Sequence, residues 1–100
     1  MTLARWTPQA LEDLEAIRAY VSRDSVQYAA VLVERLFTAV DRLEVFPDSG
    51  RIVPEFQRRD LREVILGSYR IVYRLSADRA VILTVFHGAR LFPKTVEGAL

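Results

Sequence analysis

Seven residues, Tyr69–Leu75 (YRIVYRL), limit what this chain can become more than any other stretch. Tyr69, Ile71, Tyr73 and Leu75 point one way, and Arg70, Val72 and Arg74 point the other. A period of two in β-branched and aromatic residues is the pattern of a strand with two different faces. One face needs an apolar cover, and the other carries two guanidinium groups on the same side. Around this strand, Leu61–Arg90 (LREVILGSYRIVYRLSADRAVILTVFHGAR) reads as three strands joined by two tight turns. Gly67-Ser68 is a two-residue connection of the kind that links antiparallel strands. Ala77-Asp78-Arg79 makes the second turn. Ala80–His87 is apolar at nearly every position, as expected of a central strand buried on both faces.

The rest of the chain reads as support for that sheet. Leu3–Trp6 is a short first strand. Thr7-Pro8 opens a helix, with Thr as N-cap, Pro at the first helical position, and Glu12 and Asp13 complementing the positive helix end. Leu11, Leu14, Ile17 and Val21 recur at three- and four-residue steps and mark its apolar stripe. Asp24 or Ser25 caps a second, longer helix. Its stripe is Ala29, Leu32, Val33, Leu36, Phe37, Val40 and Leu43, and Pro47-Asp48-Ser49-Gly50 stops it. Two such helices joined by a few residues form an antiparallel hairpin, and the sheet is the surface their stripes cover. Arg51–Asp60 reads as a loop, and Thr95–Leu100 as a tail adding little to the core. The expected architecture is α+β: a helix hairpin on a mainly antiparallel four-stranded sheet in the order β-α-α-β-β-β, forming one domain over 1–100.

Charge is unevenly placed. The net charge is +1, but residues 1–50 hold five basic and eight acidic residues (−3), whereas residues 51–100 hold nine basic and five acidic (+4). A basic second half suits an acidic or polyanionic partner, or is simply a solvated surface. With no cysteine, disulfides and thiolate metal sites are excluded. MTLARWTP has no apolar signal region, and no apolar run reaches membrane-spanning length. A cytoplasmic protein is the simplest expectation.

For chemistry, the single histidine is His87, at the end of the apolar strand. Its titration range suits acid–base work, but no carboxylate stands at an obvious spacing to it. The simpler role is a strand-end His bonded to a backbone carbonyl. No cluster with metal-ligand spacing and no Gly-rich phosphate loop is present, so neither metal nor cofactor is expected. The stronger constellation is basic. Arg62, Arg70, Arg74 and Arg90 lie on or just beyond adjacent strands, and Arg58 and Arg59 extend the set. Several guanidinium forks on one open sheet face would grip a nucleic-acid backbone or an acidic peptide. Each alone is more simply a surface Arg packing its stem over apolar neighbours. Tyr69 and Tyr73 face away from Arg70 and Arg74 and belong to the core. Phe56 and Phe92 lie in loops.

The segments WTPQALEDLEAIRAYV (Trp6–Val21), FPDSGR (Phe46–Arg51), LREVILGSYRIVYR (Leu61–Arg74) and HGAR (His87–Arg90), in that order, resemble the RelE/ParE family of toxins from type II toxin–antitoxin systems. The resemblance covers nearly the whole chain. It implies a toxin neutralised by a cognate, ParD-like or similar antitoxin laid over helices and sheet, in a hetero-oligomer, with Arg62, Arg70 and Arg74 at or beneath the contact. RelE-like members cleave mRNA on the ribosome; ParE-like members poison DNA gyrase. Arg70 and Arg90 fall where RelE-like nucleases carry catalytic arginines, with His87 as the one available acid or base. The chain departs from the nuclease pattern elsewhere. Glu63, Val64, Ile65 and Leu66 stand where lysines are usual, and no Tyr follows Arg90. The resemblance therefore favours a ParE-like gyrase poison without enzyme activity. A RelE-like endonuclease is the alternative, and a non-toxic antitoxin-binding module the second alternative.

Overall fold

The computed structural model describes residues 2–99. The chain runs β1 (Leu3–Trp6), α1 (Pro8–Ser22), α2 (Val26–Asp41), 3-10 turns at Arg42–Glu44 and Pro47–Ser49, β2 (Arg51–Ile52), β3 (Leu61–Leu66), β4 (Tyr69–Leu75), β5 (Arg79–His87) and α3 (Lys94–Ala99). The Thr7 hydroxyl accepts from the Ala10 N–H at 3.1 Å and donates to the Ile82 carbonyl at 2.7 Å. One side chain thus caps α1 and ties its start to β5. Ser25, rather than Asp24, caps α2, accepting from the Tyr28 N–H at 3.0 Å.

The sheet order is β1-β5-β4-β3-β2, with β1 parallel to β5 and the other pairings antiparallel. Leu66 pairs with Tyr69 across the two-residue turn, where Gly67 takes φ +57°, a conformation open to glycine at little cost. β5 is paired along both edges, which accounts for its nearly continuous apolar run. Its register slips between Val72↔Thr84 and Tyr73↔Ile82, so Leu83 is an extra residue in the ladder. The Ala4 N–H of edge strand β1 donates to the Glu44 carboxylate at 3.0 Å, which blunts that edge.

The sheet has five strands, not the expected four. The additional strand, β2, lies inside the stretch read as a loop. It is two residues long and followed at once by Val53-Pro54, so no alternation betrays it; it exists by pairing with Arg62 and Glu63 of β3. The expectation of one open sheet face also needs correcting. The hairpin covers the first face, where Leu14, Leu32, Leu36 and Val40 meet Ile71, Tyr73 and Ile82. A second core covers the other face: Val53, Leu61, Val72, Leu83, Phe86 and Val96, flanked by Phe56 and Phe92. The tail read as adding little supplies Val96, buried from α3. Leu100, the last residue of that tail, lies outside the described residues.

Tyr73 joins the first core to the turn before β2. Its hydroxyl donates to the Pro47 carbonyl at 2.7 Å and accepts from the Gly50 N–H at 3.0 Å. A Cβ at Gly50 would stand 2.5 Å from that hydroxyl and 2.8 Å from the Glu63 carbonyl oxygen. Gly50→Ala is therefore expected to destabilise by about 1–3 kcal/mol through overpacking, read as a lower urea midpoint at unchanged m-value.

Candidate functional site

The sheet's second face is organised around a carboxylate. Glu63 shares a face of β3 with Leu61 and Ile65, so its side chain enters the second core, where it is 0% exposed. It accepts from Arg51 Nε and from Arg70 Nε, each at 2.6 Å. The remaining Arg70 donors, Nη1 and Nη2, reach the two oxygens of Glu55 at 2.8 Å each. The Arg70 side chain is 13% exposed, with its guanidinium 5.1 Å from the Phe86 ring centroid and 5.3 Å from that of Phe92. Phe92 in turn meets Phe56 and Phe86 edge-on, so both loop aromatics are placed here. The carboxylate partners hold the Arg70 guanidinium well above its ordinary range, Glu55 first and Glu63 next. The bond from Arg70 holds the Glu55 carboxyl below its ordinary value.

The other arginines have separate surroundings. Arg58 makes a two-pronged pair with Asp60 at 3.0 and 2.7 Å, which lowers the Asp60 carboxyl. Arg62 donates to the backbone carbonyls of Arg59 and Gly50 at 3.0 and 3.1 Å. Arg59, Arg74 and Arg90 form no ion pair among the described residues. His87 is exposed; its Nδ1 accepts from the Ala89 N–H at 3.0 Å, so its partner is a backbone donor and not the expected carbonyl. That acceptor role leaves the ring proton of the neutral form on Nε2.

His87 also meets Tyr69 edge-on at 5.5 Å, on the helix side of the sheet. With Arg90, Leu91, Tyr20 and Ile17 it lines a groove of about 910 Å³ between α1 and the end of β5. At the groove wall Asp13 accepts from the Thr84 hydroxyl, the Val85 N–H and the Gln9 amide. The three residues carried over from nucleases are therefore not brought together. His87 and Arg90 border the groove on the helix side, whereas Arg70 lies on the opposite face among Glu55, Glu63, Phe86 and Phe92. The hairpin also leaves Leu11, Val26, Val31 and Phe37 exposed.

The sequence pattern assigns Asp13 only a helix-end role and Glu63 only a departure from the nuclease pattern, and does not single out Glu55. Glu63 was findable: the Gly67-Ser68 turn sets Ile65 opposite Arg70 and Glu63 opposite Val72, so Glu63 and Arg70 are diagonal neighbours within reach. Glu55 gave no such signal, because its loop has no period. Among the described residues no group of three or more His, Asp or Glu side chains converges to hold a metal.

A mixed sheet with a helix hairpin on one face and an arginine–carboxylate network on the other defines a small α+β domain. Residues 4–92 match the family described as the ParE toxin of the type II toxin-antitoxin system, parDE. The chain belongs to this family of toxins, within the wider RelE/ParE group. It is 40% identical over 94 residues to the putative toxin Y4kP of Sinorhizobium fredii, covering 92% of this chain and 94% of that protein. It is 38% identical over 87 residues to toxin RelE2 of Caulobacter vibrioides, covering 86% and 94%. Its fold resembles the chromosomal ParDE system from P. aeruginosa (TM-score 0.72, 23% identity, covering 87% of this chain and 96% of that one). It also resembles the RelBE2 toxin–antitoxin complex from Mycobacterium tuberculosis (TM-score 0.57, 24% identity, covering 86% and 96%). No helix among the described residues is long and apolar enough to cross a membrane.

Glu63→Gln removes the buried negative charge and leaves Arg70 with Glu55 alone; the expected loss is about 3–5 kcal/mol in chemical denaturation. The lowered Glu55 carboxyl gives a pH signature. A depressed folded-state pKa contributes stability above the unfolded value, near 4.5, which is lost as pH falls through the folded-state value. Denaturation midpoints of the wild type should therefore fall below that pH. Glu55→Gln should show a shallower fall, with the Asp60 contribution remaining.

Proposed function

We propose that this toxin is ParE-like and inhibits growth by poisoning DNA gyrase in the cytoplasm, with a ParD-like antitoxin as its neutralising partner. The observation that carries this reading is the state of Arg70. A phosphoryl-transfer nuclease needs free cations for the developing phosphorane charge, together with an acid and a base at the same centre. Here Arg70 spends Nε, Nη1 and Nη2 on two carboxylates, on the opposite sheet face from His87 and Arg90. The match to the ParE family model supports the same reading. For the antitoxin, the exposed apolar side chains of the hairpin and the unpaired Arg59, Arg74 and Arg90 fit an amphipathic, acidic segment.

The alternative, a ribosome-dependent mRNA endonuclease, is favoured by the 38% identity to a relative named RelE2. Arg70, His87 and Arg90 would then be its working residues. The discriminating experiment is a supercoiling assay with folded protein, gyrase, ATP and relaxed plasmid. Loss of supercoiling with accumulation of cleaved DNA is expected. Undisturbed supercoiling, with ribosome-dependent mRNA cleavage lost in Arg90→Ala, would replace the gyrase reading with the nuclease one.

A further inference from the structure

The two carboxylates on Arg70 are held differently. Glu63 belongs to a strand, is fully buried, and is shared with Arg51. Glu55 sits on the connection after β2, where its side chain is 41% exposed and Arg70 is its sole side-chain partner. That connection is anchored on either side by Val53 and Phe56 in the second core. Glu63 thus aims the guanidinium, Phe86 and Phe92 wall it, and the outward edge formed by Nη1 and Nη2 is what Glu55 fills. A fork fixed in this way is a finished oxyanion site, occupied from within the chain.

We propose that Glu55 is a built-in plug, and that the Arg70 fork takes the carboxylate of an acidic residue from a protein partner when Glu55 swings out. Phe86 and Phe92 flank the guanidinium, and Glu55 meets its Nη1–Nη2 edge as a two-pronged carboxylate, the geometry an incoming carboxylate would repeat. A nucleic-acid backbone would need a run of free cations beside the fork, but Arg51 is paired with Glu63 and Arg58 with Asp60, which leaves Arg74 as the one other arginine on β4. Ile65, directly opposite Arg70 in the ladder, is exposed next to the fork and would take an apolar neighbour of the incoming acidic residue. Exchanging one carboxylate for another keeps the Arg51–Glu63–Arg70 unit neutralised throughout. The identity of the partner as the antitoxin rests on the proposed function; the plugged site itself does not.

The test uses the full chain with ¹⁵N-labelled arginine, following the Arg70 Nε–H resonance, assigned by its loss in Arg70→Lys. Wild type and Glu55→Ala are titrated with acetate and, separately, with inorganic phosphate at matched ionic strength; Glu55→Gln serves if the Ala variant does not fold. The expected result is a saturable acetate response in the variant about tenfold or more stronger than in the wild type, as for a site open only a small fraction of the time. Acetate should also be preferred over phosphate. Equal responses in wild type and variant, or none in a folded variant, would overturn the plug. A preference for phosphate would overturn the carboxylate partner and assign the fork to a nucleic-acid backbone. Antitoxin affinity forms a separate arm: tighter binding by Glu55→Ala is expected, whereas unchanged affinity beside a positive acetate result would overturn the antitoxin as occupant and leave the site standing.

Discussion

A carboxylate with no exposed surface, at the centre of a sheet face, is costly unless its surroundings repay the lost hydration. The effective penalty of burying an ion is several kcal/mol, and attraction offsets it only with good geometry and filled hydrogen bonds. Glu63 meets both conditions by accepting from Arg51 on one neighbouring strand and Arg70 on the other. The consequence is architectural. β2 is too short to hold its place by ladder bonds alone, and Arg51 fastens it to β3. Arg70 carries the same charge network outward to Glu55, fixing the connection that follows β2. Phe92, from the segment before α3, lies with Phe86 against the guanidinium, and Phe56 from that connection packs edge-on against Phe92. One acidic residue therefore organises the whole second face, including the segments that cover it.

This arrangement divides the molecule's charge. On the second face, Arg51, Arg70 and Arg58 are matched by Glu63, Glu55 and Asp60, and of the three arginines only Arg70 is enclosed. On the helix face, the polar groups of the groove wall are matched around Asp13, while His87 and Arg90 remain at its border. Among the described residues many cations have no ion pair, Arg59, Arg74 and Arg90 among them, and the outside of the hairpin carries exposed apolar side chains. Such a surface suits a partner that wraps over a large area with modest contacts at each point, more than a centre where several groups converge on one atom.

The helices and the three-strand meander were legible because each obeys a single period over several turns or pairs. Thr7-Pro8 and the Pro47–Gly50 stop bounded the helices by local chemistry alone. Gly67-Ser68 set the register of β3 against β4, and that register already implied the Glu63–Arg70 diagonal. Reading the arginines as one basic set, apart from the acids beside them, hides that implication. The remaining errors share another cause. β2, the Val53–Asp60 connection and Val96 are shaped by tertiary contacts: a two-residue pairing, an ion pair and a single buried methyl pair leave no periodic trace in the chain. The face that read as open was open only because the segments covering it carry no pattern.

The same constraint bears on how far a motif can be carried from one protein to another. Arg70 stands where the family resemblance implies a catalytic arginine, and residue type and strand position agree with that role. Catalysis by a guanidinium, however, depends on donors left free for charge that appears in the transition state. A fork that holds two carboxylates in the ground state has donors for developing charge only once one of them leaves. Its function is set by Glu63 and Glu55, neither of which belongs to the arginine pattern itself. Glu63 and Glu55 therefore decide how many of the Arg70 donors a partner or substrate can reach.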